Sequence, residues 1–386
     1  MRRLRVLMLC DKFDYHGSYI NGPVRSTLSL VSRLQRFDVV LAVLRSRGLS
    51  DQVFRKEHID VTYLGCSKFS PLAIIRIMKL IRNNAIDIVH LTGYGSTTLG
   101  RLAARLCGKS VIIHERWVDP HMNALQRALE RWLARYTTKA IAISDYARTF
   151  LIAKKGIPKE RIVLIRNGIP LEPFHNGDQE AGRLKRQKWG ISADAPVVGI
   201  VGMLHENKGH RYFIEAAALL KPSRPSARFV VIGDGELRAE LERLVTQLNV
   251  TEHVMFVGHQ DDMPAVLQAL DIWVMASASE TAPVSLLEAM AAGRAVITTD
   301  CGGPSEIIRH GLTGLVVPVR HSRAIADSIT YLLENPAARR VLGENARKDS
   351  KQYDIRVTVQ AIEALYEEVA AGAGQLSASS QPNQPE

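Results

Sequence analysis

Apolar residues fall in short β-branched runs, separated by longer stretches in which they recur every three or four positions. This is the pattern of strands alternating with helices. In the first half it predicts strands at Leu4–Leu9, Asp38–Leu44, Asp60–Leu64, Ile86–His90, Ser110–His114 and Ala140–Ile143. Helices are predicted between them at Val24–Leu34, Leu72–Arg82, Thr97–Cys107 and Asn123–Thr137. The polar stretch IPLEPFHNGDQEAG, after Asn167-Gly168, carries two prolines and two glycines and reads as a linker. Strands resume at Pro196–Val201, Arg228–Ile232, His253–Val257, Asp271–Met275, Ala295–Thr299 and Gly314–Pro318. Helices close the chain at Arg323–Leu333, Ala337–Lys351 and Ile355–Ala370. The remainder, AGAGQLSASSQPNQPE, lacks apolar bulk and is expected to be disordered. Such alternation builds parallel sheets from βαβ units, so the fold class is α/β with two doubly wound domains.

The segment DIWVMASASETAPVSLLEAMAAG, residues 271–293, carries the most specific chemistry. A strand ends in a loop of small residues, and a helix opens near Pro283 and closes before Gly293. Glu280 then lies at the strand's carboxyl end, and Glu288 about two turns into the helix. In an open α/β sheet that edge is where ligands bind. The N–H groups of Ala282, Val284 and Ser285 open toward the same place and suit phosphate or hydroxyl oxygens. Two carboxylates suit a polyhydroxyl ligand such as a sugar or ribose. Read alone, both glutamates are better taken as solvated charges at a helix end, since surface glutamates are common.

The surroundings narrow the reading. The two glutamates are followed by AMAAG and then VITTDCGGPSEII, while GMLHENKG (Gly202–Gly209), IAISDYAR (Ile141–Arg148), IRNGI (Ile165–Ile169), VIGDGELRAEL (Val231–Leu241) and VMFVGHQDDMP (Val254–Pro264) stand at fixed places around them. Together these motifs resemble the retaining glycosyltransferases of family 4, also called group 1, which have the GT-B fold. The resemblance implies two Rossmann-like domains facing across a cleft: residues 1–168 binding the acceptor and 196–354 binding a nucleotide-diphosphate sugar. Residues 169–195 would link them, a helix over 355–370 would cross back to the first domain, and 371–386 would be the disordered tail.

The resemblance also implies roles for residues. Glu288 would hold the ribose. Glu280 would hold the donor sugar, with Ala282, Pro283, Val284 and Ser285 around it. Gly202 and Lys208 would meet the diphosphate, and His114 would serve the sugar and acceptor side. Gly22, with His16 and Arg25 nearby, resembles a glycine-rich loop approaching the diphosphate or acceptor. Neither a cofactor nor a metal is implied; the nucleotide-diphosphate sugar is a co-substrate, and the acceptor is a sugar, a glycan or a lipid-linked glycan. The chain departs from the family at Met203, where an Arg is frequent, and at Pro23, where a second glycine is usual. Arg294 is one basic residue that could replace the missing cation. Glu306, after Gly302-Gly303, is placed behind the nucleotide-side loops.

Composition fits this picture. At 386 residues, with 46% hydrophobic and 23% charged, the chain has room for two or three globular domains. No apolar run has the eighteen or so residues of a membrane span. The start, MRRLRVLMLC, reads as a first buried strand and not as a signal peptide. Cys10, Cys66, Cys107 and Cys301 show neither disulfide nor zinc spacing, so a cytoplasmic protein with free thiols is expected, either free or peripheral on the inner membrane face.

Charge is unevenly placed. Residues 1–170 carry 29 Lys and Arg against 12 Asp and Glu, while residues 171–386 carry 21 against 27. A basic half points to an anionic neighbour: a lipid surface, a phosphate-linked acceptor or, less in keeping with the motifs, nucleic acid. In Asn123–Lys139, the residues Leu125, Ala128, Leu129, Trp132, Leu133 and Tyr136 form an apolar stripe beside Arg127, Arg131, Arg135 and Lys139. The plain expectation is a core-facing helix with a basic outside; the alternative is a helix lying on an anionic membrane.

Other motifs fail. Gly108-Lys109-Ser110 has Ala103 where a P-loop needs glycine, Gly233-Asp234-Gly235 has Arg238 in place of a third dinucleotide glycine, and His210 is one residue too far from His205-Glu206 for a metalloprotease helix. Two rival functions remain: a sugar-nucleotide epimerase on the same fold, which would need no acceptor, and a non-catalytic basic adaptor for membrane or nucleic acid.

Overall fold

A computed structural model of the chain describes residues 2–13, 22–68, 70–119 and 121–378, with backbone alone over 373–378. Among these residues, thirteen strands form two sheets in which every pairing is parallel. The chain divides into two units, Met1–Asn167 with Ile355–Glu386, and Gly168–Asp354.

In the first unit the strands are β1 (Arg5–Cys10), β2 (Asp38–Val43), β3 (Val61–Tyr63), β4 (Ile88–Thr92), β5 (Ser110–Glu115), β6 (Lys139–Ala142) and β7 (Ile162–Leu164), in the order β3-β2-β1-β4-β5-β6-β7. Side chains alternate across a strand, so each face has its own core. Leu7, Leu9, Val89, Leu91, Val111 and Ile113 pack beneath the helices Leu72–Asn83 and Tyr94–Leu106. Val6, Met8, Cys10, Ile88 and Ile112 face the other way, under the helix Gly22–Val31 and the long helix Ile355–Ala378. That last helix presents Ile355, Val359, Ile362, Tyr366 and Val369, a spacing of four and three that keeps one stripe on the sheet.

The second unit contains β8 (Val197–Val201), β9 (Arg228–Ile232), β10 (Val254–Gly258), β11 (Ile272–Met275), β12 (Ala295–Thr299) and β13 (Leu315–Val317), ordered β10-β9-β8-β11-β12-β13. This is the doubly wound order of a Rossmann sheet. Two apolar cores cover its faces, one around Phe213, Phe229 and Ile297, the other around Trp273, Met290 and Phe174.

Three expectations are corrected. The stretch 169–195 is not a linker: it holds helices Glu172–His175 and Gln179–Lys188 within the second unit. Its glycines serve close packing. A Cβ on Gly182 would stand 2.7 Å from the Gln268 backbone carbon, and Arg186 ties this helix to Asp271 at 2.9 Å. The expected disorder over 371–386 fails in its first part, because the helix runs on to Ala378. Residues 379–386 lie outside the described residues.

The third correction is the helix Ala124–Leu133, which buries only Glu130 and Leu133. Glu130 belongs to a buried ionic cluster: Arg101 Nη2 lies 2.5 Å from its Oε2, Lys155 Nζ lies 3.8 Å away, and Lys155 also pairs with Glu115. Burial alone would raise Glu130, but Lys155 and Arg101 outweigh it and hold the carboxyl below its ordinary range. With Glu130 turned inward, the apolar stripe turns outward. Leu125 is 80% and Trp132 43% exposed.

Three histidines are buried and neutral. Burial, with Arg116 adding to it, lowers His90 from 6.5 to about 3. Burial, Arg116 and His90 together hold His114 well below 6.5. Burial and then Lys208 lower His210 to about 3. The unfolded chain therefore binds more protons as pH falls below 6.5, and stability present above that pH is lost through the window toward 3. Urea unfolding at pH 5.5 should give a free energy lower than at pH 7.5 by about 1.4 kcal/mol for each such ring. Equal values at the two pH levels would show that the rings are not held neutral.

Candidate functional site

The second sheet grows in opposite directions from β8 and β11, which are hydrogen-bonded neighbours. Loops leaving their carboxyl ends therefore run to opposite faces of the sheet, and the ligand crevice of an open α/β sheet lies outside those ends. The loop after β8 is fixed by close backbone approach. Gly202 N–H donates to Ile232 O at 3.0 Å, and the buried Leu204 N–H donates to Asp234 O at 3.0 Å. Gly233 has to be glycine there, since its Cβ would stand 2.0 Å from Gly202 O at φ +135°. One 3₁₀ turn, Glu206–Lys208, then leads to Gly209 at φ +67°, the cap of helix His210–Leu220.

The two loops are stitched together. Ala278 N–H donates to Asn207 O at 2.8 Å, and Asn207 Nδ2 donates to Ser279 O at 2.7 Å. Glu280 is clamped at its backbone, its N–H donating to Cys301 O at 3.0 Å and its carbonyl accepting from Gly303 N–H at 2.9 Å. Gly303 allows this approach, because a Cβ there would fall 1.7 Å from Thr281 O.

These constraints bring two of the expected residues into contact. Lys208 Nζ lies 2.5 Å from Glu280 Oε1, and Ser277 Oγ donates to the same oxygen at 3.0 Å. Glu280 Oε2 takes no hydrogen bond among the described residues. The Lys208 stem passes over Gly202, where Cδ would lie 3.7 Å from an added Cβ. Pro283 caps the helix Val284–Ala291, so Val284 and Ser285 hold its first N–H groups, which a helix leaves without an internal partner. Ala282 lies in the loop just before. Glu288 is the fifth helical residue, little more than one turn in and not the expected two, and is only 7% exposed.

Two expectations about nearby charge resolve differently. Arg294 does not replace the missing cation: it precedes β12, at the amino edge of the sheet, and donates to Leu270 O at 2.9 Å. Glu306 sits on the short helix Gly303–Ile307, directly after the Glu280 clamp.

In the first unit, His114 lies at the carboxyl end of β5 and is buried. Its Nδ1 is 3.1 Å from His90 Nε2, and its Nε2 has no partner among the described residues. Sequence reasoning missed Arg116, two residues on. Its Nη1 donates to Ser26 Oγ at 3.1 Å and Thr27 Oγ1 at 2.9 Å, anchoring the helix Gly22–Val31. Burial lowers Arg116 from its ordinary value. Gly22 opens that helix, Arg25 follows on its first turn, and a Cβ at Gly22 would meet nothing within 4 Å. His16 lies outside the described residues. Among those that are described, no group of three His, Cys, Asp or Glu could hold a metal ion.

Comparison with known proteins gives the same direction. Residues 20–173 match the family model "Glycosyltransferase Family 4", and residues 183–349 match "Glycosyl transferases group 1". The chain is 32% identical over 314 residues to the putative glycosyltransferase EpsD of Bacillus subtilis, covering 78% of this chain and 82% of that one. It is 26% identical over 347 residues to the UDP-Gal:alpha-D-GlcNAc-diphosphoundecaprenol alpha-1,3-galactosyltransferase of Escherichia coli, covering 86% and 89%. The fold matches Anabaena HepE, solved with UDP and glucose, at a TM-score of 0.84 and 22% identity over 95% of this chain and all of that one.

Glycine spacing at the crevice is testable. Gly209→Ala should destabilise the chain by about 2–4 kcal/mol, from the left-handed backbone and the 2.0 Å approach to Ala276 O. Gly22→Ala should leave stability level or slightly raised. If urea denaturation finds the two variants alike, the loop does not adopt the described path.

Proposed function

The chain belongs to the group 1, family 4 glycosyltransferases, and from that premise we propose that it moves a sugar, with retention of anomeric configuration, from a nucleotide-diphosphate donor to a glycan or lipid-linked glycan. The observation that carries this reading is the Lys208–Glu280 pair at the switch point of the second sheet, beside the opening of the helix that holds Glu288. Glu288 binds the ribose hydroxyls. Glu280, oriented through Oε1 by Lys208 and Ser277, offers Oε2 to a sugar hydroxyl. The N–H groups around Ala282, Val284 and Ser285 take phosphate or sugar oxygens. As the bond from the sugar to the diphosphate breaks and the acceptor oxygen takes its place, negative charge gathers on the departing diphosphate. Lys208 stabilises that charge. His114 serves the sugar and acceptor from the first unit, and no metal enters the reading.

The Escherichia coli relative names UDP-Gal as its donor and a diphosphoundecaprenol-linked sugar as its acceptor, which supports the donor and acceptor classes and a role in polysaccharide or glycolipid synthesis. Family membership sets aside the non-catalytic adaptor. Dependence of turnover on acceptor separates transferase from epimerase.

A lipid-linked acceptor requires access to a membrane, and no described helix is long and apolar enough to cross one. The first unit has the surface to lie on one. Leu125 and Trp132 stand out from the helix Ala124–Leu133, flanked by Arg127, Arg131 and Arg135, and Leu72 and Ile75 stand out from the helix Leu72–Asn83 of the same layer. Lys139 is not part of this surface, since it pairs with Glu368 at 2.7 Å. Aromatic and apolar residues beside arginines are what an interfacial helix uses on anionic lipid.

Two measurements test this reading. Glu288→Gln keeps the shape but weakens hydrogen bonds to ribose, each worth roughly 1.5–3 kcal/mol, so nucleotide affinity by calorimetry should drop at least tenfold. Lys208→Ala should lower turnover at saturating donor by about two orders of magnitude. Unchanged affinity and turnover would remove both residues from the site. Separately, the protein should co-sediment with acidic but not neutral liposomes, less so as salt rises. Leu125→Ser with Trp132→Ser should release it without changing nucleotide affinity. Equal sedimentation with both lipids, or with neither, would leave the stripe without this role.

A further inference from the structure

A chain of hydrogen bonds runs through the core of the first unit and uses none of the residues expected from sequence except its last. Tyr366 OH, on the helix Ile355–Ala378, lies 2.6 Å from His90 Nδ1 on β4. His90 Nε2 lies 3.1 Å from His114 Nδ1 on β5. All three side chains are buried, and His114 Nε2, at the far end, has no partner among the described residues. His90 pairs in register with Ile112, two positions before His114, so both rings project from the same face of the sheet, under the long helix.

The direction of the chain follows from its protons. Burial raises the Tyr366 phenol, and burial with the Arg116 cation lowers both imidazoles, so each member is neutral. A neutral imidazole carries one N–H and one acceptor nitrogen. If His90 Nδ1–H donated to the phenol oxygen, the phenol proton would be buried without an acceptor, and the His114 Nε2 lone pair would also be orphaned. If the phenol donates to His90 Nδ1, His90 must donate from Nε2 to His114 Nδ1, and only His114 Nε2–H remains unpaired. Fewer orphaned buried groups favour the second arrangement.

We propose that Tyr366 and His90 are positioning residues that fix His114 as its Nε2–H tautomer, so that it meets bound substrate as a hydrogen-bond donor. The unpaired N–H then awaits an oxygen. On the proposed function, on which this part rests, that oxygen is a hydroxyl of the transferred sugar or of the acceptor. The C-terminal helix thereby acts on His114 from the face of the sheet that it covers, through one phenol.

The test reads the tautomer directly. In the full chain with ¹⁵N-labelled histidine, assigned by His114→Gln and His90→Gln, His114 should be neutral and protonated at Nε2 at pH 7.5. Tyr366→Phe keeps the ring and its edge contact with Phe37, so the core remains filled. In that variant the Nε2–H form should give way to a mixture, and kcat should fall about tenfold, the worth of roughly one orienting hydrogen bond, with the donor KM unchanged. A His114 protonated at Nδ1 or on both nitrogens would overturn the proposal. So would an unaltered tautomer, or an unaltered kcat, in Tyr366→Phe. If the wild-type chain turns over no nucleotide sugar, the functional reading fails, and the tautomer spectra still decide the relay.

Discussion

The crevice of the second unit depends on a single reversal, the change in the direction of strand addition between β8 and β11. Parallel strands joined by right-handed crossovers can leave such a gap only where the order turns back. Lys208 and Glu280 come from opposite sides of that turn, yet lie 2.5 Å apart. They meet because Gly209 lets one loop lie against Ala276 in the other, and because the Asn207 side chain and carbonyl tie the loops together. Glu288 needs neither device, being placed by its helix. The site is thus two loops held by backbone contact and one helix held by its apolar face.

The first unit solves a different problem. It is strongly basic, and it buries charge in its interior. Arg101, Glu130, Lys155 and Glu115 form a closed cluster on one side of the sheet, while Arg116 is anchored by hydroxyls on the other. Buried ion pairs gain little net stability, and their use is more often to fix one arrangement among several. Here the arrangement is visible: in the helix Ala124–Leu133 the Glu130 charge faces in, with Leu133, while Leu125 and Trp132 face out. Burial, with the Arg116 cation adding to it, keeps His90 and His114 neutral.

Strand and helix order was legible because parallel strands are buried on both faces and read as continuous apolar runs. The strand Ile162–Leu164 and the helices Asp51–Lys56, Asp145–Ala153, His210–Leu220, Arg238–Gln247 and Met263–Gln268 were missed; the first two are too short to show a period. Glycine was the ambiguous letter. In IPLEPFHNGDQEAG it suggested a flexible linker, but Gly182 is a contact surface for helix Met263–Gln268. For the site, proximity in sequence marked Glu280 and Glu288, and motif likeness marked Lys208. The Lys208–Glu280 contact was not legible, since 72 residues separate the two. Nor were Arg116 or Tyr366, whose places are set by which face of the first sheet they meet. The outward turn of the stripe at Leu125 was hidden as well, because a single residue, Glu130, decides it from the opposite side of the helix.

Met203 sharpens the electrostatics of the crevice. With Lys208 paired to Glu280, and Glu206 in the same loop, the loop brings no net positive charge to an approaching diphosphate. What remains is the partial positive charge at the openings of helices His210–Leu220 and Val284–Ala291, about half a unit each. On the proposed reading, donor binding must draw Lys208 toward the phosphates and leave Glu280 to the sugar, so each partner of the pair changes what it holds as the complex forms. An arginine at 203 would add a second cation beside Lys208, and would hold the nucleotide more strongly without that exchange. On that reading Ser277 goes on orienting Glu280 through Oε1 as the lysine moves, and a sugar hydroxyl takes Oε2. A nucleoside diphosphate lacking the sugar cannot supply that hydroxyl, so on the proposed reading one ion pair would link recognition of the sugar to stabilisation of the leaving group.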